Sequence, residues 1–96
     1  MGHKPKVLVV GSGVVGASIA MSCLNLGADV VVLEQGKLGG AASSNSFGWI
    51  NASFAETSAY FKLRNAAVDT FRNLKAEIDL NDCVRWQGTL WWEDGD

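Results

Sequence analysis

The chain is poor in the residues that build metal centres and covalent scaffolds. It has two cysteines, Cys23 and Cys83, and a single histidine, His3, beside the terminus. A four-ligand zinc site and a disulfide framework are both excluded by that set. No basic run is present: eight Lys and Arg stand against ten Asp and Glu, a net charge of −2. That balance argues against a nucleic-acid partner and against an anionic membrane surface. The uninterrupted ~20 apolar residues of a membrane span are also missing. Lys4 and Lys6 do precede an apolar stretch that imitates an export signal. However, Gly11, Ser12, Gly13, Gly16, Ser18, Ser22 and Asn25 break it. Val7–Ala20 approaches the ~7–15 apolar residues of a signal core only by counting its glycines. A buried strand followed by a helix explains each interruption. With neither a disulfide framework nor an export signal, the expected location is a reducing one, the cytoplasm.

What is present is a core. Of the 96 residues, 48% are hydrophobic, which excludes global disorder and fits one small domain or a piece of a larger one. Glycine and charge divide the chain. Nine of the eleven glycines fall at or before Gly48, and the next is Gly88. Between Val7 and Leu33 only Asp29 is charged, and Leu38–Ala55 carries no charge. Lys6–Val10 is a β-branched run ending at glycine, the pattern of a strand buried on both faces. A helix is expected from about Gly13, with Val14, Val15, Ile19, Leu24 and Leu26 among small residues and Gly27 as its stop. Asp29–Leu33 repeats the strand pattern. Two such strands joined by a helix make a right-handed βαβ unit.

Gln35–Ala55 reads as a loop rich in Gly, Ala, Ser and Asn, longer than ordinary connections and therefore functional or disordered. A helix is expected from about Thr57 to Ile78, with Thr57 or Ser58 as N-cap. Its apolar stripe is Tyr60, Leu63, Ala67, Phe71, Leu74 and Ile78. Lys62, Asp69, Arg72, Lys75 and Asp79 form a solvated face with i,i+4 pairing. Leu80–Asp82 reads as a turn, and Val84–Trp92 has strand composition with Gly88 as a bulge or tight turn.

Gly11-Ser12-Gly13-Val14-Val15-Gly16 fits G-x-G-x-x-G. Alone the pattern is weak. Here it follows a strand, opens a helix, lies in a βαβ unit and precedes Glu34 at the end of the second strand, which makes it informative. Gly11 permits the tight turn, Gly13 lets the backbone approach a pyrophosphate, and Gly16 lets the helix pack closely on the strands. The helix N-terminus supplies N–H groups and a positive dipole end to the phosphates. Glu34 is placed to accept hydrogen bonds from an adenosine ribose, and its charge repels a 2′-phosphate, disfavouring NADP. The fingerprint itself leaves FAD and NAD open. The uncharged Gly39–Trp49 segment separates them, since it can run beside a pyrophosphate and ribityl chain without adding bulk.

Five stretches together resemble one family: Val7–Gly16, the Glu34-Gln35 pair, the Gly-Ala-Ser loop through Gly48-Trp49, the long helix, and Arg85-Trp86-Gln87-Gly88-Thr89-Leu90-Trp91. The family is the FAD-dependent D-amino acid oxidase/dehydrogenase superfamily, near glycine oxidase and sarcosine oxidase. The resemblance implies a Rossmann-like, α/β FAD-binding domain over residues 1–82, and over 83–96 the first strand of a substrate domain. It implies FAD contacts at Val14 and Val15 beside the glycines, at Glu34 and Gln35 on the ribose, at Ala42 and Ser43 along the phosphates, and at Phe47, Gly48 and Trp49 near the flavin ring. Ser44-Asn45-Ser46 departs from the Gly-Arg-Asn or Gly-Arg-Ser triplet frequent there.

The implied reaction is hydride transfer from the amine-bearing carbon of an amino acid or amine to flavin. The cofactor performs the chemistry, so no acid–base residue is nominated. His3 reads as exposed, Cys23 as a small buried hydrophobe, Cys83 as a turn residue, and Trp86, Trp91 and Trp92 as core or interface. The chain ends at Glu93-Asp94-Gly95-Asp96, and the expectation is an N-terminal part of a flavoenzyme, inactive alone, whose partner is the remainder of the chain or a second subunit. An NAD-dependent dehydrogenase shares the fingerprint, and a non-catalytic interaction module would share the fold.

Overall fold

The computed structural model describes residues 2–80 and 82–95. Two compact units make up the chain, Met1–Gly48 and Trp49–Asp96. Asn81, inside the turn expected at Leu80–Asp82, and Asp96, at the acidic end, lie outside the described residues.

The first unit runs β1 (Lys6–Val10), α1 (Val14–Asn25), β2 (Asp29–Leu33) and the single turn α2 (Ala42–Asn45). The two strands pair in parallel, with Lys6 opposite Asp29 and Val10 opposite Leu33. Beyond the strand ends, Asp29 donates its N–H to the Pro5 carbonyl at 2.9 Å and Gly11 donates to Leu33 at 2.7 Å. Glycine ends α1 for a conformational reason. Gly27 sits at φ +87°, and the Gly27 and Ala28 N–H groups return to the Leu24 and Cys23 carbonyls. That is the double bond of a Schellman cap, which a residue with a Cβ forms only under strain.

One expectation fails here. The strands are covered on one face only. Val7, Val9, Val30 and Val32 share the face on which α1 packs, and Val9 is buried. Leu8, Val10, Val31 and Leu33 share the opposite face and are 60, 81, 58 and 50% exposed. A continuous apolar run says that both faces can be buried; it does not supply the second layer, which no element among the described residues of this unit provides.

The second unit contains one regular element among the described residues, α3 (Ser58–Leu74). Thr57 caps it, its hydroxyl accepting the Tyr60 N–H at 3.1 Å. The helix stops four residues before the expected Ile78, and residues 75–77 continue only as turns. Its buried stripe is also displaced. Val68 is the buried residue, flanked by half-buried Arg64 and Phe71, whereas Tyr60 and Leu63 are 50 and 67% exposed. On the same helix Arg64 donates to the Ser53 and Asn51 carbonyls at 2.6 and 3.3 Å. Asp69 and Arg72 pair at 3.1 Å with i,i+3 rather than i,i+4 spacing. Residues 84–92 form no strand. Strand composition cannot close a ladder without a partner backbone, and this unit holds no other strand among the described residues. The segment is held by side chains instead: Trp86 lies under the Arg72 guanidinium at 5.1 Å, and Trp91 meets Phe54 edge-on at 4.9 Å. Gly88 sits at φ +76°, but neither the bulge nor the tight turn expected there forms.

Candidate functional site

The glycine turn between β1 and α1 is shaped by three different demands. Gly11 is at φ +102°, a conformation that disfavours any side chain. Gly13 has an ordinary φ of −69°, so its demand is space: a Cβ there would lie 2.9 Å from Ser43 Oγ. Gly16 is the tightest. A Cβ would stand 2.1 Å from the Gly11 carbonyl oxygen and 3.4 Å from Val9 Cγ1, so α1 approaches β1 only because this residue has none. The glycine spacing therefore reflects the turn, the approach to the loop and the helix–strand packing in that order.

No side chain caps α1 at its N-cap residue, Gly13. The first-turn N–H groups of a helix have no intrahelical acceptor, and one of them, Val14 N–H, donates to Ser43 Oγ at 2.9 Å. Val14 and Val15, beside it, are 57 and 69% exposed. The loop after β2 thus reaches back to the helix start. Its backbone is bent sharply to do so: Ala41 sits at φ +56°, where a β-carbon is strained, immediately before α2.

Glu34 directly follows β2 and lies over the glycine turn. Its Oε1 accepts the Ser12 N–H at 3.0 Å and the Ser12 hydroxyl at 2.8 Å, and its Oε2 accepts the Gly36 N–H at 2.8 Å. These donors hold the carboxyl below its ordinary range, the Gly36 N–H foremost and the two Ser12 donors next; desolvation opposes them, and the Gln35 N–H adds the smallest lowering. Ser12 has a second task. Gly39 N–H is shared between the Ser12 carbonyl and hydroxyl oxygens, 3.1 Å from each.

A cleft of about 630 Å³ opens beside this network. Of the residues singled out in the sequence, Gly11, Gly13, Glu34, Gln35, Ala42 and Ser43 line it together. Val10, Leu33, Gly40 and Ala41 complete the lining. Gly16 supports the site from the helix–strand contact. Phe47 and Gly48 end the first unit and are exposed, Phe47 by 84%. Trp49 belongs to the second unit, where its Nε1 donates to Thr89 Oγ1 at 3.0 Å and its ring meets Phe54 at 6.5 Å.

Two residues that sequence reasoning passed over organise these segments. Ser12 occupies a variable position of the glycine pattern, so nothing in the spacing marks its hydroxyl. Arg64 was assigned no role, yet its guanidinium donates to the Ser53 carbonyl at 2.6 Å and to the Asn51 side-chain oxygen at 3.1 Å, and it lies 5.4 Å from the Tyr60 ring. The position of Arg64 beside an apolar stripe was the available signal.

His3 is exposed, Cys23 half-buried and Cys83 exposed, both thiols free. Among the described residues no cluster of His, Cys, Asp and Glu is arranged to hold a metal ion, and no helix is long and apolar enough to cross a membrane. A family model described as FAD dependent oxidoreductase matches residues 6–96. Neither the curated proteins nor the solved structures offer a match.

Proposed function

Because the chain belongs to the FAD-dependent oxidoreductase family, we propose that its first unit holds the ADP half of FAD across the glycine turn, for an enzyme oxidising amino acids or amines. One observation carries the reading: the Glu34 carboxylate is fixed 2.8–3.0 Å from Ser12, on the rim of a cleft that the fingerprint glycines also line. A dinucleotide needs an anion site and a sugar-hydroxyl acceptor at a set separation, and these residues offer both. The first-turn N–H groups of α1 and the Ser43 hydroxyl suit the phosphates. Glu34, kept ionised, suits the ribose hydroxyls and repels a 2′-phosphate. Gly13 and Ala42 keep the phosphate path free of bulk.

When bound, FAD supplies the hydride acceptor. The protein's part is to bind, to orient and to keep a negative charge at the ribose. The amine-bearing substrate class, and the assignment of Gln35 to the ribose and of Phe47, Gly48 and Trp49 to the flavin ring, rest on the family resemblance, as does the reading of residues 83–96 as the start of a substrate domain. Two free thiols favour a reducing setting such as the cytoplasm. With three of the five β1 residues and four of the five β2 residues exposed, the 96 residues alone bind FAD too weakly to retain it through gel filtration and do not turn over.

The test is an amide-resolved titration of the chain with ADP and with 2′-phospho-ADP. ADP should perturb the Ser12–Gly16 and Glu34–Gly36 amides, and 2′-phospho-ADP should bind at least about ten-fold more weakly, as a like-charge contact costs more than 1.4 kcal/mol. Perturbation elsewhere, or none, sinks the assignment. Flavin retained through gel filtration and bleached by an amine would overturn the statement about the isolated chain.

A further inference from the structure

Arg64, on α3, grips the chain before that helix at two points. Its Nη1 donates to the Ser53 carbonyl at 2.6 Å. Its Nη2 is shared between the Asn51 carbonyl at 3.3 Å and the Asn51 Oδ1 at 3.1 Å. A guanidinium is a rigid planar fork that holds separate acceptors in one geometry, whereas lysine is a point charge on a flexible stem.

The Asn51 side chain carries the grip onward. Its Oδ1 also accepts the Ser53 N–H at 3.0 Å, and its Nδ2 donates to the Trp49 carbonyl at 3.1 Å. A flipped amide would set its NH2 group against two donors and an oxygen against the Trp49 carbonyl, so the network admits one orientation.

The Ser53 carbonyl belongs to the peptide that leads into Phe54. Holding it fixes one side of the Phe54 φ rotation. That φ is +60°, a left-handed value that a side chain resists and that persists only where the surroundings hold it. The Phe54 ring then meets Trp91 edge-on at 4.9 Å and Trp49 at 6.5 Å, and the Trp49 Nε1 donates to Thr89 Oγ1 at 3.0 Å.

We infer that Arg64 is the positioning residue of residues 49–54: through the Ser53 carbonyl it holds Phe54 in its left-handed conformation, and through the Asn51 amide it holds Trp49. Its bearing on the chemistry rests on the reading above that assigns Trp49 to the flavin ring. With that assignment, an arginine on α3 sets the placement of a flavin-side residue.

The experiment follows two NMR signals of the full chain without ligand. One is the NOE between the Phe54 N–H and its own Hα, strongest at positive φ. The other is the Trp49 indole Nε1–H, identified by Trp49→Phe. Arg64→Met should weaken the Phe54 NOE to the level of the α3 residues. It should also speed exchange of the Trp49 indole proton by about three- to ten-fold, the size of one neutral hydrogen bond. Arg64→Lys, which keeps the charge, should rescue neither signal. Asn51→Asp keeps the acceptor oxygen and removes the amide donor, so it should spare the Phe54 NOE and shift the Trp49 indole. The amides of residues 68–74 should hold their native positions in all three variants.

Native signals in Arg64→Met would overturn the inference, and so would full rescue by lysine. A change spread evenly over residues 68–74 in Arg64→Met would do so too, being the signature of a role in folding alone. Loss of the Phe54 NOE in Asn51→Asp, or an unmoved Trp49 indole there, would overturn the two routes from Arg64. The ADP titration above reads the first unit alone. Its failure would remove the dinucleotide reading and leave Arg64 as a positioning residue, and failure here would leave the dinucleotide reading standing.

Discussion

At the scale of single residues, Glu34 shows how a charged side chain at a strand end becomes part of a turn. Its folded pKa is lowered by donors from Gly36 and Ser12. The sign of the linkage follows: the ionised carboxylate contributes stability above the ordinary glutamate pKa, and that contribution is lost as pH falls through the lowered folded value. The native chain should therefore lose stability below about pH 4, near the ordinary value for glutamate, and Glu34→Gln should abolish this part of the loss. A carboxyl-carbon NMR titration reads the same event directly. A Glu34 midpoint at or above the ordinary value would contradict the hydrogen bonds described. The sequence offered the acid, its offset from the glycines and its place at the end of β2, because those depend on strand length and helix length alone. The serine that receives it was hidden, since position 12 is free to vary in the glycine pattern. Arg64 was hidden for a related reason: its partners are backbone carbonyls at 51 and 53, which have no letter in a sequence.

At the scale of elements, boundaries set by glycine chemistry were readable and those set by packing were not. Both strands, and α1 to within a residue, coincide with the runs bounded by Gly11 and Gly27, where dihedral angles that only glycine adopts easily force an ending. By contrast, α3 has no glycine at its end, and it stops at Leu74, short of the apolar Ile78 that the periodicity included. The segment 84–92 has the composition of a strand, but pairing is a property of two backbones. Helix–strand packing yields a direct test. Gly16→Ala places a carbon 2.1 Å from the Gly11 carbonyl oxygen, an overlap that backbone cannot relieve without moving α1 off β1. The variant should lose about 1–3 kcal/mol or more in urea denaturation, the usual range for overpacking. Gly48→Ala, where a Cβ meets nothing within 4 Å, should change stability by no more than ~0.5 kcal/mol. Equal effects from the two substitutions would show that α1 does not sit on β1 as described.

For the molecule as a whole, the distribution of exposure matters more than the list of elements. Among the described residues, only Val9, Ala20, Ala28 and Val68 of the hydrophobic ones are buried. Composition supplies the material for a core, yet burial requires layers, and the sheet has one. Leu8 and Val31, opposite one another on the bare face, are 60 and 58% exposed. Leu8→Thr should accordingly cost less than ~1 kcal/mol, far below the 2–5 kcal/mol of truncating a buried leucine. It should also reduce binding of a hydrophobic dye such as ANS. A large loss of stability would mean that this face is covered.

The register of the two strands carries a consequence of its own. Five rungs run in step from Lys6 and Asp29 to Val10 and Leu33. Sliding β2 by one residue would displace the Glu34 backbone by about 3.3 Å, more than the whole length of its bond to Ser12. The same slip would exchange inward and outward side chains. Alignment of the strands is thus a ruler for the ligand: one inserted or deleted residue in the short Gly27-Ala28 connector would mis-set the spacing between sugar and phosphate recognition while leaving every recognising residue intact.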